Sequence, residues 1–374
     1  MVKMGTLKVN HSTILSHLTI FNHATIVNQL TILQPLKNIL KYGISLGIAA
    51  GLLWYVFKDI DRAAMFDAFS KADYSWIAVS GLLTVIAHWS RAYRWSLLLE
   101  PVVGYRPAQF NTTLSVLTGY FANLVVPRMG EVTRCGTLNR LEGVPVNVSF
   151  GTVVAERIFD VLMLFLLIGA TFLIEFDRLS TFLMDFFSSK FNTAGLRDNS
   201  WLLVILVGCL LGLAVMVWFF YNRFKEVLRQ KPFYQRVEKF VVGLLEGLVS
   251  IRKLKNPGAF IFHTVLIWTM YYYMSFVLFS AMPQTADLGW RAGLTILIMG
   301  ALGMAAPVQG GAGTFNILVG AALALYGISN QDGATLATLM LFTQWFYVVV
   351  LGALSFLIVM LKGRNTQQVV GAES

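Results

Sequence analysis

The sequence predicts an all-α, polytopic helical membrane protein, and three observations lead to this fold class. Hydrophobic residues make up 56% of the 374 residues and charged residues only 13%, whereas soluble domains carry about 25% charged residues. The apolar residues occur in runs of about twenty, the length of helix that crosses a bilayer core. The chain has a net charge of +10, and its basic residues concentrate between the apolar runs. A soluble globule is therefore excluded.

The basic excess suits cytoplasmic loops that face anionic lipid head groups. Because membrane topology explains this charge, we predict no nucleic-acid partner. The two cysteines, Cys135 and Cys209, lie far apart without a CxxC motif, so neither a disulfide framework nor a zinc site is indicated. We predict no metal ion and no cofactor.

Residues 1–35 form a leader that differs from the rest of the chain. Thr-Ile recurs at positions 13, 19, 25 and 31, which gives four hexads without the basic n-region or cleavage site of a secretory signal. We interpret the leader as low-complexity and disordered. The alternative is a short β-solenoid or a metal-binding tract that uses His11, His17 and His23, but a few hexads bury almost no surface. Residues 36–364 then form one transmembrane domain, and 365–374 form a short cytoplasmic tail.

Charge asymmetry between the apolar runs predicts their orientation. Segment 222–257 carries nine basic and three acidic residues, whereas 58–74 and 175–199 each carry three basic and four acidic residues. The positive-inside rule places the first segment in the cytoplasm and the other two outside. Both termini are then cytoplasmic. The apolar runs lie at about 42–57, 75–98, 108–126, 150–174, 200–221, 258–281, 291–306, 314–328 and 334–361.

Two regions cannot be ordinary spans in this topology. Run 150–174 already makes the crossing between the inner segment 91–106 and the outer segment 175–199, so 108–147 must enter and leave at the cytoplasmic face. The same reasoning makes 291–328 a re-entrant hairpin from the outer face. The chain becomes an inverted repeat of span, span, re-entrant hairpin, span, with halves at about 36–176 and 198–364. The prediction is therefore about six full spans plus two re-entrant hairpins. Inverted repeats with broken segments at matching positions are typical of alternating-access transporters.

Both hairpins are interrupted by a Pro-x-x-Gly sequence. Proline ends the incoming helix and glycine permits a tight reversal, and such irregular backbone is tolerated at membrane depth only where protein or a watery cavity satisfies it. The alternative is an ordinary interfacial loop. Segments 178–190 and 236–253 are predicted to be amphipathic helices on the membrane surface. The predicted break residues are Asn123, Pro127 and Gly130 in the first hairpin, and Pro307, Gln309, Gly310, Gly311, Gly313 and Asn316 in the second.

Three charged residues precede an apolar run that is too short to span alone. Run 161–174 covers about 21 Å of helix against a core of about 30 Å, so Glu156, Arg157 and Asp160 must enter the membrane. Charges at that depth normally pair or face a polar cavity. Arg157 reaches Asp160 at i, i+3, which leaves one carboxylate in need of Arg128 or Arg134.

The tip of the first hairpin carries guanidinium groups that match phosphate oxygens, and a helix begins just after the break. We therefore predict one charge network at a lipid head-group site. The alternative is a network that only pins the hairpin against the span. Arg91, Arg94 and Trp95 are predicted to be interfacial anchors. The predicted network contains Arg128, Glu131, Arg134, Glu156, Arg157 and Asp160.

At these motifs the sequence resembles the lysylphosphatidylglycerol synthase transmembrane-region family from about residue 40 to residue 361. The resemblance rests on four motifs in this order: Arg91-x-x-Arg94-Trp95, Asn123 to Arg134 followed by Leu138-x-Arg140, Glu156-Arg157-x-x-Asp160, and Pro307-x-x-Gly310-Gly311-x-Gly313. It implies a multi-pass protein of the bacterial inner membrane that moves a lipid with a charged head group between leaflets. Gln309 and Asn316 depart from the family pattern, which has a proline and an acid there. Because the chain ends thirteen residues after Leu361, we expect no lipid aminoacylation.

The leading expectation is a lipid flippase or lipid-binding transporter without enzymatic activity. Its predicted partners are the bilayer and a phosphate-bearing lipid, while a homo-oligomer or a partner in envelope synthesis stays open. One alternative is a membrane enzyme of lipid-linked group transfer with Glu131, Glu156 or Asp160 as base. It is disfavoured because the loops contain no metal-binding acid pair and no Ser/Cys/His arrangement. The other alternative is a non-transporting accessory subunit of an envelope-synthesis enzyme.

Overall fold

The computed structural model describes residues 50–126, 129–176, 254–306 and 308–372, together with Gly47 and Arg178. Helix is the regular structure of these ranges, and no strand occurs in them. Several predicted features lie outside the described residues: the leader 1–35, the run 200–221, the surface segment 236–253, nearly all of 178–190, the break residues Pro127 and Pro307, and the network residue Arg128.

The described ranges contain nine labelled α-helices, preceded by a helical stretch at 50–57. Short 3-10 helices occur at Val277–Ala281, Pro283–Thr285 and Gln309–Gly311. The α-helices are α1 (Arg62–Ser70), α2 (Tyr74–Val103), α3 (Gln109–Val125), α4 (Gly130–Glu142), α5 (Val146–Ile174), α6 (Pro257–Phe276), α7 (Trp290–Ala305), α8 (Thr314–Ala324) and α9 (Asn330–Ala372).

Short polar side chains begin several of these helices. The Asp61 carboxylate accepts hydrogen bonds from the first turn of α1, and Asp73 accepts one from Ser75 N at the start of α2. Asn256 accepts a hydrogen bond from Ala259 N and is followed by Pro257 in the first turn of α6. These caps satisfy amide groups that have no partner within the helix.

Three helices in the described part of the chain are long and apolar enough to cross a membrane. They are Val146–Ile174, Pro257–Ala281 and Asn330–Lys362. α2 has 30 residues and is therefore also about 45 Å long, but it carries buried arginines. The described part of the chain is thus all-helical and contains helices of membrane-spanning length, and the count of six spans and the inverted repeat stay predictions.

α2 is central to the packing around the site. It packs against α3, α5 and α6, and its Trp95 and Leu99 are fully buried beside Leu138 of α4 and Val153 of α5. α9 packs along α3 and α8 and contributes to a second core with the segment that precedes α7. The first hairpin is therefore held between α2 and the last long helix.

The two predicted hairpins have their open ends at opposite ends of α2. Tyr105, just after α2, donates a hydrogen bond to the Glu142 carbonyl at the end of α4, at 2.7 Å. At the other end, Asp73 N donates to the Ala281 carbonyl at 2.9 Å, in the segment that leads to α7. Residues 309–311, between α7 and α8, contact α3. The turn of the second hairpin thus lies against the first.

Candidate functional site

Two arginines of α2 face two carboxylates of α5 in the protein interior. Arg94 NH2 lies 3.1 Å from Glu156 Oε1 and 2.6 Å from Asp160 Oδ1. Arg91 Nε lies 2.8 Å from Glu156 Oε1 without hydrogen-bond alignment, and its NH2 group pairs closely with Asp160 Oδ2. The spacings of three residues on α2 and four on α5 place both pairs on facing sides of the two helices.

The prediction of Arg91, Arg94 and Trp95 as interfacial anchors is wrong. Arg91 is 3% exposed, and Arg94 and Trp95 are fully buried. Trp95 Nε1 donates a hydrogen bond to Thr152 Oγ1 at 2.9 Å. Arginine beside aromatic residues is the usual pattern of a membrane interface, but here the carboxylates of α5 compensate the buried guanidinium groups, which allows the same pattern to lie inside the protein.

Arg134 of α4 completes the buried part of the network. Its NH2 group donates a hydrogen bond to Glu156 Oε2 at 2.7 Å, and its guanidinium carbon lies 3.9 Å from the centre of the Trp95 ring. Glu156 therefore contacts three arginines at once. One of the two partners that the sequence offered for the remaining carboxylate is thereby identified, whereas Arg128 lies outside the described residues.

The network becomes accessible at Arg157 and Glu131. Arg157 NH2 donates a hydrogen bond to Glu131 Oε1 at 3.3 Å, and Arg157 NH1 lies 3.6 Å from Asp160 Oδ2. The side chains of Arg157 and Glu131 are 41% and 28% exposed, against 16% for Asp160 and 0% for Glu156. The pair links α4 to α5 at the edge of the buried cluster. It is the most exposed pair of the described network.

Two further members come from α6 and were not predicted. Arg91 NH1 donates a hydrogen bond to the Tyr271 hydroxyl at 2.8 Å, and Arg94 NH1 donates to Thr264 Oγ1 at 3.4 Å. Thr264 and Tyr271 are seven residues apart and so share one helix face. That spacing is a sequence signal, but many polar pairs within apolar helices have it.

The turn of the first hairpin is stabilised by the side chain of one of its own predicted break residues. Asn123 Oδ1 accepts a hydrogen bond from Gly130 N at 2.7 Å, so the amide caps the turn between α3 and α4. The two helices approach closely at Gly119 and Gly130, where a Cβ atom on Gly130 would lie 2.4 Å from the Gly119 carbonyl. The predicted break residues Asn123 and Gly130 thus lie side by side.

The second break is a glycine turn held by hydrogen bonds. Gly310, Gly311 and Gly313 have positive φ angles of 58°, 71° and 79°. Residues other than glycine rarely adopt this backbone conformation. Trp345 Nε1 of α9 donates to the Gly310 carbonyl at 3.1 Å. For Gln309 only the backbone is described.

Asn316 is buried in the first turn of α8. Its Nδ2 group donates a hydrogen bond to Thr338 Oγ1 of α9 at 2.9 Å. The Asn316–Thr338 contact thus joins two neutral side chains, whereas the first hairpin contributes Glu131 and Arg134 to the charged network.

The described carboxylates of the network all face arginine, which stabilises their charged form. No group of three His, Cys, Asp or Glu residues able to hold a metal ion occurs in the described part of the chain. What the arrangement offers is a surplus of positive charge and hydrogen-bond donors beside a half-exposed edge. Such an arrangement binds anions that accept several hydrogen bonds.

Two comparisons relate this chain to known membrane proteins. A stretch of 88 residues is 32% identical to the UPF0104 membrane protein of Methanocaldococcus jannaschii and covers 23% of this chain and 26% of that protein. Residues 40–352 match the family described as the lysylphosphatidylglycerol synthase TM region, a range that contains every described residue of the network. The match covers most of the chain, so the chain belongs to the lysylphosphatidylglycerol synthase TM region family.

Proposed function

We propose that this protein is a lipid flippase or lipid-binding transporter that moves a phosphate-bearing lipid between leaflets without catalysing a reaction on it. The observation that carries the proposal is the half-exposed pair of Arg157 and Glu131 beside a buried arginine cluster. A guanidinium group binds a phosphate by two parallel hydrogen bonds. In this proposal a lipid phosphate binds Arg157 beside Glu131 and enters the edge of the cluster.

The depth of the charges supports a site inside the membrane. Arg94 lies nine residues before the end of α2, and Glu156 lies ten residues after the start of α5. These separations correspond to about 14 and 15 Å along the helix axes, so both charges lie well inside their helices and not at the helix ends.

The two hairpins support an alternating-access route. α3 has 17 residues and α4 has 13, or about 26 and 20 Å of helix, so neither reaches across a full core. The open ends of the hairpins lie at opposite ends of α2, as an inverted repeat of two re-entrant hairpins requires. We propose that the first hairpin opens to the cytoplasm and the second to the outer face of a bacterial cytoplasmic membrane, with both termini inside.

A non-enzymatic role is consistent with the pairing of the carboxylates. Glu156 and Asp160 each face several guanidinium groups, and both oxygens of each carboxylate have such a partner. A general base needs a carboxylate oxygen that is free to accept a proton from the substrate. The proposed partners are therefore the bilayer and the transported lipid, and no cofactor takes part.

The proposal is tested by reconstituting the purified full chain in vesicles that contain a trace of acyl-labelled phosphatidylglycerol. Chemical reduction of the label in the outer leaflet then measures transbilayer movement. We expect Arg157→Gln to slow this movement by about 10- to 100-fold, because it removes a hydrogen bond to a charged group worth about 1.5–3 kcal/mol. Arg157→Lys keeps the positive charge but cannot form two parallel hydrogen bonds to a phosphate. Its rate of lipid movement should lie between those of the wild type and Arg157→Gln.

The matched control is Arg62→Gln, which removes the same charge from an exposed position of α1. It should leave the rate unchanged. Vesicles with the wild-type chain that move lipid no faster than empty vesicles would overturn the proposal. Equal rates of lipid movement for the wild type and Arg157→Gln would show that Arg157 does not take part in transport.

A further inference from the structure

The charges of the described network do not balance. Four guanidinium groups, those of Arg91, Arg94, Arg134 and Arg157, surround three carboxylates, those of Glu131, Glu156 and Asp160. Arginine stays protonated in proteins, and the carboxylates are stabilised in their charged form by arginine. Four positive charges against three negative charges leave one surplus positive charge in the cluster.

The surplus lies where water cannot screen it well. Arg91, Arg94 and Arg134 are 3%, 0% and 4% exposed, and an unpaired charge in such surroundings is costly. The Trp95 ring under Arg134 provides an attractive face at 3.9 Å, which lowers that cost without neutralising the charge. A ligand with one negative charge compensates the surplus completely.

The cluster has hydrogen-bond donors without acceptors, but each of its described carboxylates is already paired with an arginine. Both oxygens of Glu156 and of Asp160 face guanidinium groups, and Glu131 faces Arg157. Within the described residues, the Nε groups of Arg94 and Arg134 are buried without a hydrogen-bond acceptor, and Arg91 Nε lies 2.8 Å from Glu156 Oε1 without hydrogen-bond alignment. The cluster is therefore suited to a ligand with hydrogen-bond acceptors. An ammonium group would instead lie near four guanidinium groups and would find no unpaired carboxylate among the described residues.

We propose that the site selects lipids whose head group carries one net negative charge on a phosphodiester and no ammonium group. This inference rests on the proposed function and names its substrate class. A zwitterionic head group, such as that of phosphatidylethanolamine, has no net charge and leaves the surplus uncompensated. Its ammonium group is repelled by the cluster. Phosphatidylglycerol has the matching charge and acceptors, so it serves as the positive probe.

Selectivity is measured by binding, separately from transport. The purified full chain in detergent is titrated with short-chain phosphatidylglycerol, with short-chain phosphatidylethanolamine and with inorganic phosphate, and thermal unfolding reports binding. We expect phosphatidylglycerol to bind at least about tenfold more tightly than phosphatidylethanolamine, since a unit charge at about 4 Å is worth more than that factor even at an effective dielectric constant of about 20. Inorganic phosphate should bind more weakly, because it lacks the acyl chains.

Two variants change the charge count by one in opposite directions at the exposed edge. Arg157→Gln makes the described network neutral and should reduce the preference for phosphatidylglycerol to below about twofold, because no surplus is left to attract an anion. Glu131→Gln raises the surplus to two and should strengthen the preference. Arg62→Gln on α1 is the control and should bind both lipids as the wild type does.

The outcomes separate this inference from the proposed function. Equal binding of the two lipids, or a preference for phosphatidylethanolamine, overturns the inference whether or not the protein moves lipid. Selective binding of phosphatidylglycerol without transbilayer movement supports the inference and overturns transport. Binding of inorganic phosphate as tight as that of phosphatidylglycerol assigns the site to a free anion and also overturns the inference.

Discussion

Replacement of Glu156 by alanine should be among the most destabilising single changes in the described part of the chain. Its carboxylate lies within 2.8, 3.1 and 2.7 Å of Arg91, Arg94 and Arg134 and is fully buried. Removing it leaves three buried guanidinium groups with Asp160 as their remaining buried counter-charge. Removing one partner of a buried ion pair costs about 3–5 kcal/mol, a large part of a typical unfolding free energy of about 5–15 kcal/mol.

The measurement is the free energy of unfolding in mixed micelles for Glu156→Ala and Arg134→Ala, each alone and both together. The double variant removes a positive and a negative charge, so its cost should be smaller than the sum of the two single costs by about 1–3 kcal/mol. Asp59→Ala is the control, because the Asp59 side chain is 83% exposed and surface changes stay within about 0.5 kcal/mol. A cost below about 1 kcal/mol for Glu156→Ala, outside the range for broken buried pairs, would refute the reasoning.

Three further predictions concern the hairpins and the second half of the chain. Gly130→Ala places a Cβ atom 2.4 Å from the facing backbone and should lower the free energy of unfolding by about 1–3 kcal/mol. Gly151→Ala is its control, because a Cβ atom there meets no atom within 4 Å. Equal unfolding free energies for the two variants would contradict the close approach of α3 and α4. Tyr271→Phe removes the hydroxyl that accepts from the α2 arginine and should cost about 1–3 kcal/mol by the same assay, with no change expected if the hydroxyl instead faces water. Cysteines placed at Arg140 and Asp287 should react with impermeant reagents from opposite sides of sealed vesicles, and labelling from one side would exclude hairpins that open to opposite faces.

The sequence by itself determined the class of the protein and the location of its most costly residues. A run such as 161–174 can be buried only in a membrane or a large core, because its length and lack of charge leave no polar face. Glu156 and Asp160 beside that run had to find counter-charges, since unpaired carboxylates are expensive there. Residue type and spacing alone carry this information, so membrane helices, hairpin glycines and the need for arginine partners were all predictable.

Tertiary structure decided which arginines meet these carboxylates. Arg91 and Arg94 were predicted to face an interface, yet they lie inside because α2 packs against α5 and α6 in a rotation that turns this face inward. Tyr271 of α6 joined the network for the same reason. The rotation of a helix about its axis depends on packing against neighbours far away in the sequence, whereas local spacing reports only which residues share a face. Local pattern therefore predicts that a charge must be paired, and only the packed helices select its partner.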